Sequence, residues 1–94
     1  MNVSERLQET LTDYLLEGDP VGIEDLGRVV RRGDKPWFVT EFEAALQAGA
    51  FTPQWWGTTL YHDEWTDEDA DELDRDLRLV WTAIAPDRPY PLDT

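Results

Sequence analysis

Glycine and proline cut this chain into short pieces, and the manner of the cutting points to helices. Gly18 is followed by Asp19-Pro20, Gly33 by Asp34 and Pro36, and Gly49 by Thr52-Pro53, while Pro86 ends the last long segment. Each is a glycine stop and then a capping side chain with proline just inside the next turn. That order suits a helix C-terminus followed by a helix N-terminus, because glycine tolerates the left-handed exit and proline gives up an N–H that has no partner in a first turn.

Between the breaks the apolar residues keep helical spacing. The first predicted helix runs from about Val3 to Glu17, with Leu7, Leu11, Tyr14 and Leu15 on one stripe, Asn2 and Glu5 as a capping box, and Gly18 as its stop. The second covers about Pro20 to Arg32 and buries Ile23, Leu26, Val29 and Val30. Gly22 and Gly27 weaken it by up to ~1 kcal/mol each relative to alanine, so it depends on packing. The third runs from Asp34 to about Ala48 on Phe38, Phe42, Ala45 and Leu46. Thr52-Pro53 opens only a short turn that Gly57 ends, and Thr58 to Trp65 reads as a loop or a short unpaired strand. Thr66 and Asp69 form a capping box for the last helix, whose stripe of Leu73, Leu77, Val80, Trp81 and Ile84 reaches Ala85. Leu77 and Trp81, at its centre, should pack against the first and third helices. The expected fold is all-α: a single domain over 1–94, a compact bundle of about four helices with short connections, with residues 86–94 an extended proline-containing tail that Tyr90 and Leu92 can pin.

Charge narrows the partners. The 94 residues hold 21 acids against 8 lysines and arginines, a formal net charge of −13. Nucleic acid is excluded as a direct ligand on this reading, because phosphate contacts need clustered cations. Anionic membranes are disfavoured for the same reason, and no apolar run approaches the ~20 residues of a span. A basic protein partner is favoured. The absence of cysteine removes disulfides, thiolate metal sites and a cysteine nucleophile. With Glu5, Arg6 and Glu9 where a signal peptide would be apolar, the expected location is cytoplasmic.

Equipment for catalysis is sparse. The one histidine, His62, and the one serine, Ser4, have no evident way to meet. The glycines lack phosphate-loop spacing, and abundant exposed acids make any carboxylate pair uninformative. Asp67, Asp69 and Asp71 imitate the start of a calcium-binding loop, but Glu72 stands where the turn needs glycine and Arg78 where the bidentate glutamate belongs. The chain therefore reads as a non-enzyme with no cofactor, no metal and no catalytic residue.

What remains is a constellation of aromatics and acids. Phe51, Trp55, Trp56, Tyr61 and Trp65 precede a stretch with nine acids between Asp63 and Asp76, where Arg75 is the one cation. Rings supply contact area with few torsions to freeze, and carboxylates steer a basic partner. The candidate partner-binding residues are Trp55, Tyr61, His62, Asp63, Glu64, Trp65, Glu68, Asp71 and Asp74. The competing account is structural: large rings fill a small core, Glu68, Asp71, Glu72 and Arg75 form a solvated helix face, Asp71–Arg75 and Asp74–Arg78 pair along the helix, and the loop from Tyr61 to Trp65 is a lid. The basic segment from Arg28 to Lys35 reads as a helix C-terminus satisfied by cations.

A short acidic helical chain with a Trp- and Tyr-bearing loop beside a carboxylate-rich helix resembles bacterial immunity proteins, the dedicated inhibitors of nuclease and other toxin domains. Asp19-Pro20-Val21-Gly22-Ile23 between helices is similar to the opening of several small bacterial proteins of that kind, and Trp55-Trp56 and Tyr61 occupy a region comparable to the paired tyrosines of colicin-type nuclease immunity proteins. The resemblance implies a stoichiometric inhibitor, an immunity or antitoxin type of protein, monomeric or weakly dimeric. A phage-type mimic of DNA and a structural, self-associating subunit are the alternatives.

Overall fold

Ser4 caps the first helix. A computed structural model describes residues 3–15 and 20–93, and in it α1 (Glu5–Tyr14) begins where the Ser4 hydroxyl accepts the Leu7 N–H at 3.2 Å. The same hydroxyl donates to Glu41, whose other oxygen takes Arg6, so this cap also ties α1 to the third helix. Asn2, Glu17, Gly18 and Asp19, expected to frame the first two helices, lie outside the described residues. α2 (Pro20–Arg31) starts at its proline and ends just before Gly33, which is left-handed at φ 93°. Val29 is half-buried, while Ile23, Leu26 and Val30 are buried.

α3 (Phe38–Ala48) starts later than its pattern suggests. The Asp34 N–H returns to the Val29 carbonyl and its carboxylate binds Arg32, which holds that segment to the end of α2. Gly49, at φ 69°, ends α3 in the left-handed cap that glycine accommodates. α4 (Pro53–Trp56) is one turn capped by Thr52, and the chain then widens into a π-helical turn over Gly57–Tyr61. The expected loop or strand from Thr58 is thus, in its first half, a continuation of helix. Thr66 and Asp69 do form the capping box, but on a 3₁₀ turn (Asp67–Asp69) that leads into α5 (Ala70–Ile84). The all-α class holds, with five α-helices and no strand among the described residues.

Helix α5 rests chiefly on α2, a pairing that differs from the expected packing against the first and third helices. Leu77 and Trp81 are both buried, and Trp81 reaches α3 by stacking on Phe42. Two glycines explain how closely α2 is approached. A Cβ at Gly27 would lie 2.5 Å from the Ala83 carbonyl oxygen, and one at Gly22 would lie 1.8 Å from that of Tyr14. Trp56, Phe38, Leu26 and Leu60 complete the centre of the core with Leu7, Leu11 and Leu15.

The tail is folded rather than simply extended. Tyr90 and Pro91 are buried, and a 3₁₀ turn at Pro91–Asp93 lies against α3, while Leu92 is 52% exposed. Arg78 forks onto both Asp93 oxygens at 2.7 and 2.8 Å, Arg88 binds Glu43 at 3.0 Å, and the Trp81 indole donates to the Arg88 carbonyl. No helix of the described residues is long and apolar enough to cross a membrane.

Candidate functional site

Asp76 lies on the wrong face of its helix for a solvated acid. It stands three residues after Leu73 and four before Val80, so helical spacing turns it inward with the apolar stripe, and it is only 5% exposed. A carboxylate in that position needs donors. It has two on one oxygen: Oδ2 accepts the Trp56 indole N–H at 3.2 Å and the Tyr61 hydroxyl. Trp56 is fully buried at the end of α4, and Tyr61 closes the π-helical turn that follows. Burial, and then the carboxylate that accepts its proton, push the Tyr61 phenol well above its usual range. Oδ1 has only the Arg75 Nε, at 3.8 Å, too far for a hydrogen bond.

The loop after Tyr61 is folded back on this unit. His62 is left-handed at φ 54°, and the Asp63 N–H bonds the Gly57 carbonyl at 3.1 Å. Trp65 then stacks on Tyr61 with centroids 5.0 Å apart and planes 15° from parallel. Its ring also occupies the space beside Gly57, where a Cβ would come within 2.3 Å of Trp65 Cγ. Tyr61 and Trp65 are therefore a fixed wall, each half-buried, and His62, Asp63 and Glu64 form the exposed tip between them.

That wall bounds a groove of about 600 Å³ between α2 and α5. From α2 come Pro20, Ile23 and Glu24; from α5 come Glu72, Arg75, Asp76, Leu79, Thr82 and Ala83. Its lining is largely apolar, and Leu79, 49% exposed, is a large aliphatic side chain left open to solvent there. Three acids, Glu24, Glu72 and Asp76, face one cation, Arg75, around it. The geometry suits an amphipathic ligand of positive charge.

The residues expected from sequence are only partly gathered here. Tyr61 and Trp65 line the groove; His62, Asp63 and Glu64, exposed on the turn between them, are not part of its lining. Glu68 and Asp71 are exposed around the start of α5. Trp55 is half-buried and packs against Phe51 and Trp56. Asp74 lies on the opposite flank of α5, bound to Arg78 at 2.8 Å and bordering a separate recess with Leu92. Arg75 is close to Asp76 rather than paired along the helix with Asp71 as the pattern implied. The Asp74–Arg78 pair forms as expected. In the basic segment, Arg28 binds Asp25 and Arg32 binds Asp34, side chain to side chain, and among the described residues Arg31 alone of the three arginines donates to a helix carbonyl, that of Gly27. Among the described residues no three His, Asp or Glu groups converge on a point that could hold a metal ion.

Sequence reasoning missed Asp76, Leu79, Ile23 and Glu24 as site residues and treated Glu72 as plain solvated surface. One signal was there to use. A single acid on an otherwise apolar stripe requires a buried donor, and the indole of Trp56 or Trp55 is the natural source. The chain matches no protein-family model, no curated protein and no solved structure.

Proposed function

We propose that the protein is a non-enzymatic binding protein that captures a basic protein in the cytoplasm, as an immunity or antitoxin type of inhibitor does. The observation that supports this most is the groove between α2 and α5: an open apolar floor bordered by carboxylates, on a chain of net charge −13. Apolar area gives a complex its lifetime, and the surrounding negative field speeds the encounter with a cationic partner. A catalytic reading lacks support of this kind. His62 is exposed on the loop tip, and Ser4 is engaged with Glu41 on α1.

A mimic of DNA is less well supported. The acids of α5 divide between two flanks, and Asp74 is neutralised by Arg78, so they do not make the paired rows that imitate phosphates.

The test is binding to cationic proteins, any encoded next to this chain first, followed by surface kinetics at two salt concentrations. Asp63→Lys with Glu64→Lys should slow association roughly tenfold at low salt and flatten its salt dependence, leaving the fold intact, because both side chains are exposed. Absence of binding to any cationic protein, or turnover of a substrate that disappears with His62→Ala, would sink the proposal.

A further inference from the structure

We infer that the groove between α2 and α5 receives an amphipathic helix of the basic partner, and that Asp76 Oδ1 is the seat for an arginine on that helix. The inference rests on the binding function proposed above and assigns it an occupant and an anchor.

Length argues for a helix. The α5 side of the groove runs from Glu72 to Ala83, which at 1.5 Å per residue is about 16 Å, or three turns of a facing helix. A helix laid between two others is a recurrent way to cover an apolar strip of this kind. Leu79 and Ile23 provide the floor, and Leu79 is half exposed with nothing among the described residues laid over it.

Charge argues for a cation. The carboxylates of Glu24, Glu72 and Asp76 outnumber the guanidinium of Arg75. A second copy of this chain would bring like charges together, which disfavours self-association as the occupant. Within that rim Asp76 is special because its two oxygens are treated unequally. Oδ2 is spent on Trp56 and Tyr61, which also fix the orientation of the carboxylate, while Oδ1 has an ion pair with Arg75 at 3.8 Å and no hydrogen bond among the described residues. It is an oriented acceptor on a residue only 5% exposed, with capacity to spare.

Arginine fits this seat better than lysine. Its flat, weakly hydrated guanidinium stacks on aromatic faces while donating at its edge, and here the Tyr61–Trp65 stack forms the wall next to the carboxylate. Lysine offers a compact, strongly hydrated charge with no plane to stack.

The probe is a synthetic helical peptide of about four turns, with leucines facing one side and one arginine midway, compared with versions carrying lysine or neutral citrulline at that position. Calorimetry gives affinity, and the indole NMR resonances report the place of binding. The arginine peptide should bind with shifts at Trp65 and Trp56, and citrulline should weaken it at least ~10-fold, with lysine between the two. Leu79→Ser should weaken all three peptides alike. Asp76→Asn should bring the arginine peptide down to the citrulline level. Should that variant unfold by circular dichroism, Glu72→Gln, on the exposed rim, should narrow the arginine–citrulline gap instead. Equal binding of arginine and citrulline peptides, indifference to Leu79→Ser, or shifts confined to Trp37 and Trp81 would each overturn the inference. So would a dimer that Leu79→Ser dissolves, since the occupant would then be a second copy. A basic partner that binds Leu79→Ser and Asp76→Asn as it binds wild type removes this inference but keeps the proposed function. Peptide binding with no basic protein partner removes the function and keeps the groove's chemistry.

Discussion

Asp76 and Tyr90 each place a polar group inside the apolar interior, with opposite outcomes. Asp76 is paid two hydrogen bonds by Trp56 and Tyr61. The Tyr90 hydroxyl is buried with no hydrogen-bond partner among the described residues, although its ring is 8% exposed and lies 4.4 Å from the Arg78 guanidinium carbon. Burial accordingly pushes the Tyr90 phenol above its ordinary value. An unmade hydrogen bond of this kind costs about 1–3 kcal/mol. Tyr90→Phe keeps the ring, its packing and its cation contact while removing the orphan oxygen, so it should stabilise the protein by about 1 kcal/mol in urea unfolding. A loss of stability would mean that the hydroxyl is satisfied after all.

At the scale of elements, α2 reverses the ordinary rule for glycine in a helix. Gly22 and Gly27 cost helix propensity, yet each lies where another backbone passes too close for a Cβ: Tyr14 in α1, Ala83 in α5. Gly27→Ala should therefore destabilise, by about 1–3 kcal/mol after the propensity gain of about 1 kcal/mol is counted. A thermal melt in which Gly27→Ala is more stable than wild type would show that the helices do not cross this tightly. The helices themselves were legible from spacing and punctuation, because a stripe such as Leu73, Leu77, Val80 and Trp81 has only one periodicity. Their partners were not. A stripe shows which face is buried without showing against what, and so the pairing of α5 with α2 was missed, as was the groove that this pairing creates. The π-helical turn was equally hidden, because Gly57-Thr58-Thr59-Leu60-Tyr61 has no period and is held by bonds made further along the chain, from Tyr61 to Asp76 and from Trp65 across Gly57. Half of the candidate site, Tyr61 to Trp65, was visible as an excess of rings and acids; Leu79 and Ile23 were not, because they look like ordinary members of their own helices.

The whole molecule carries its charge against itself. A net charge of −13 disfavours compactness by self-repulsion, but it is the paired acids that set how stability responds once the pH falls to about 5. Below that, particular pairs are lost. The Arg6 hydrogen bond, then Ser4, hold the Glu41 carboxyl below its ordinary 4.5, and Arg78 holds Asp93 below 3.8. For an acid whose folded pKa is depressed, the contribution is present above the unfolded value and disappears as pH falls through the folded one. Stability should thus fall below about pH 4. On the alkaline side the phenols of Tyr61 and Tyr90 are raised above 10.0, so the fold tolerates only their protonated forms, and stability that is whole below that value is lost as pH climbs past it. Urea midpoints measured across this range should trace a plateau that falls away at both ends. Glu41→Gln should flatten the acid limb and Tyr61→Phe the alkaline one. Curves that superimpose on wild type would remove these residues as the cause.

Gly57 and Trp65 occupy one volume between them, and this ties together the histories of two positions. A methyl group at 57 demands the space that the ring at 65 fills. The substitutions are therefore order-dependent. Shrinking Trp65 first leaves a shallow vacancy that a later side chain at 57 can refill, whereas enlarging Gly57 first drives the ring off Tyr61 and opens the wall. Divergence of this chain can pass through the first order far more easily than the second, and a side chain at 57 is expected only where the residue at 65 is small.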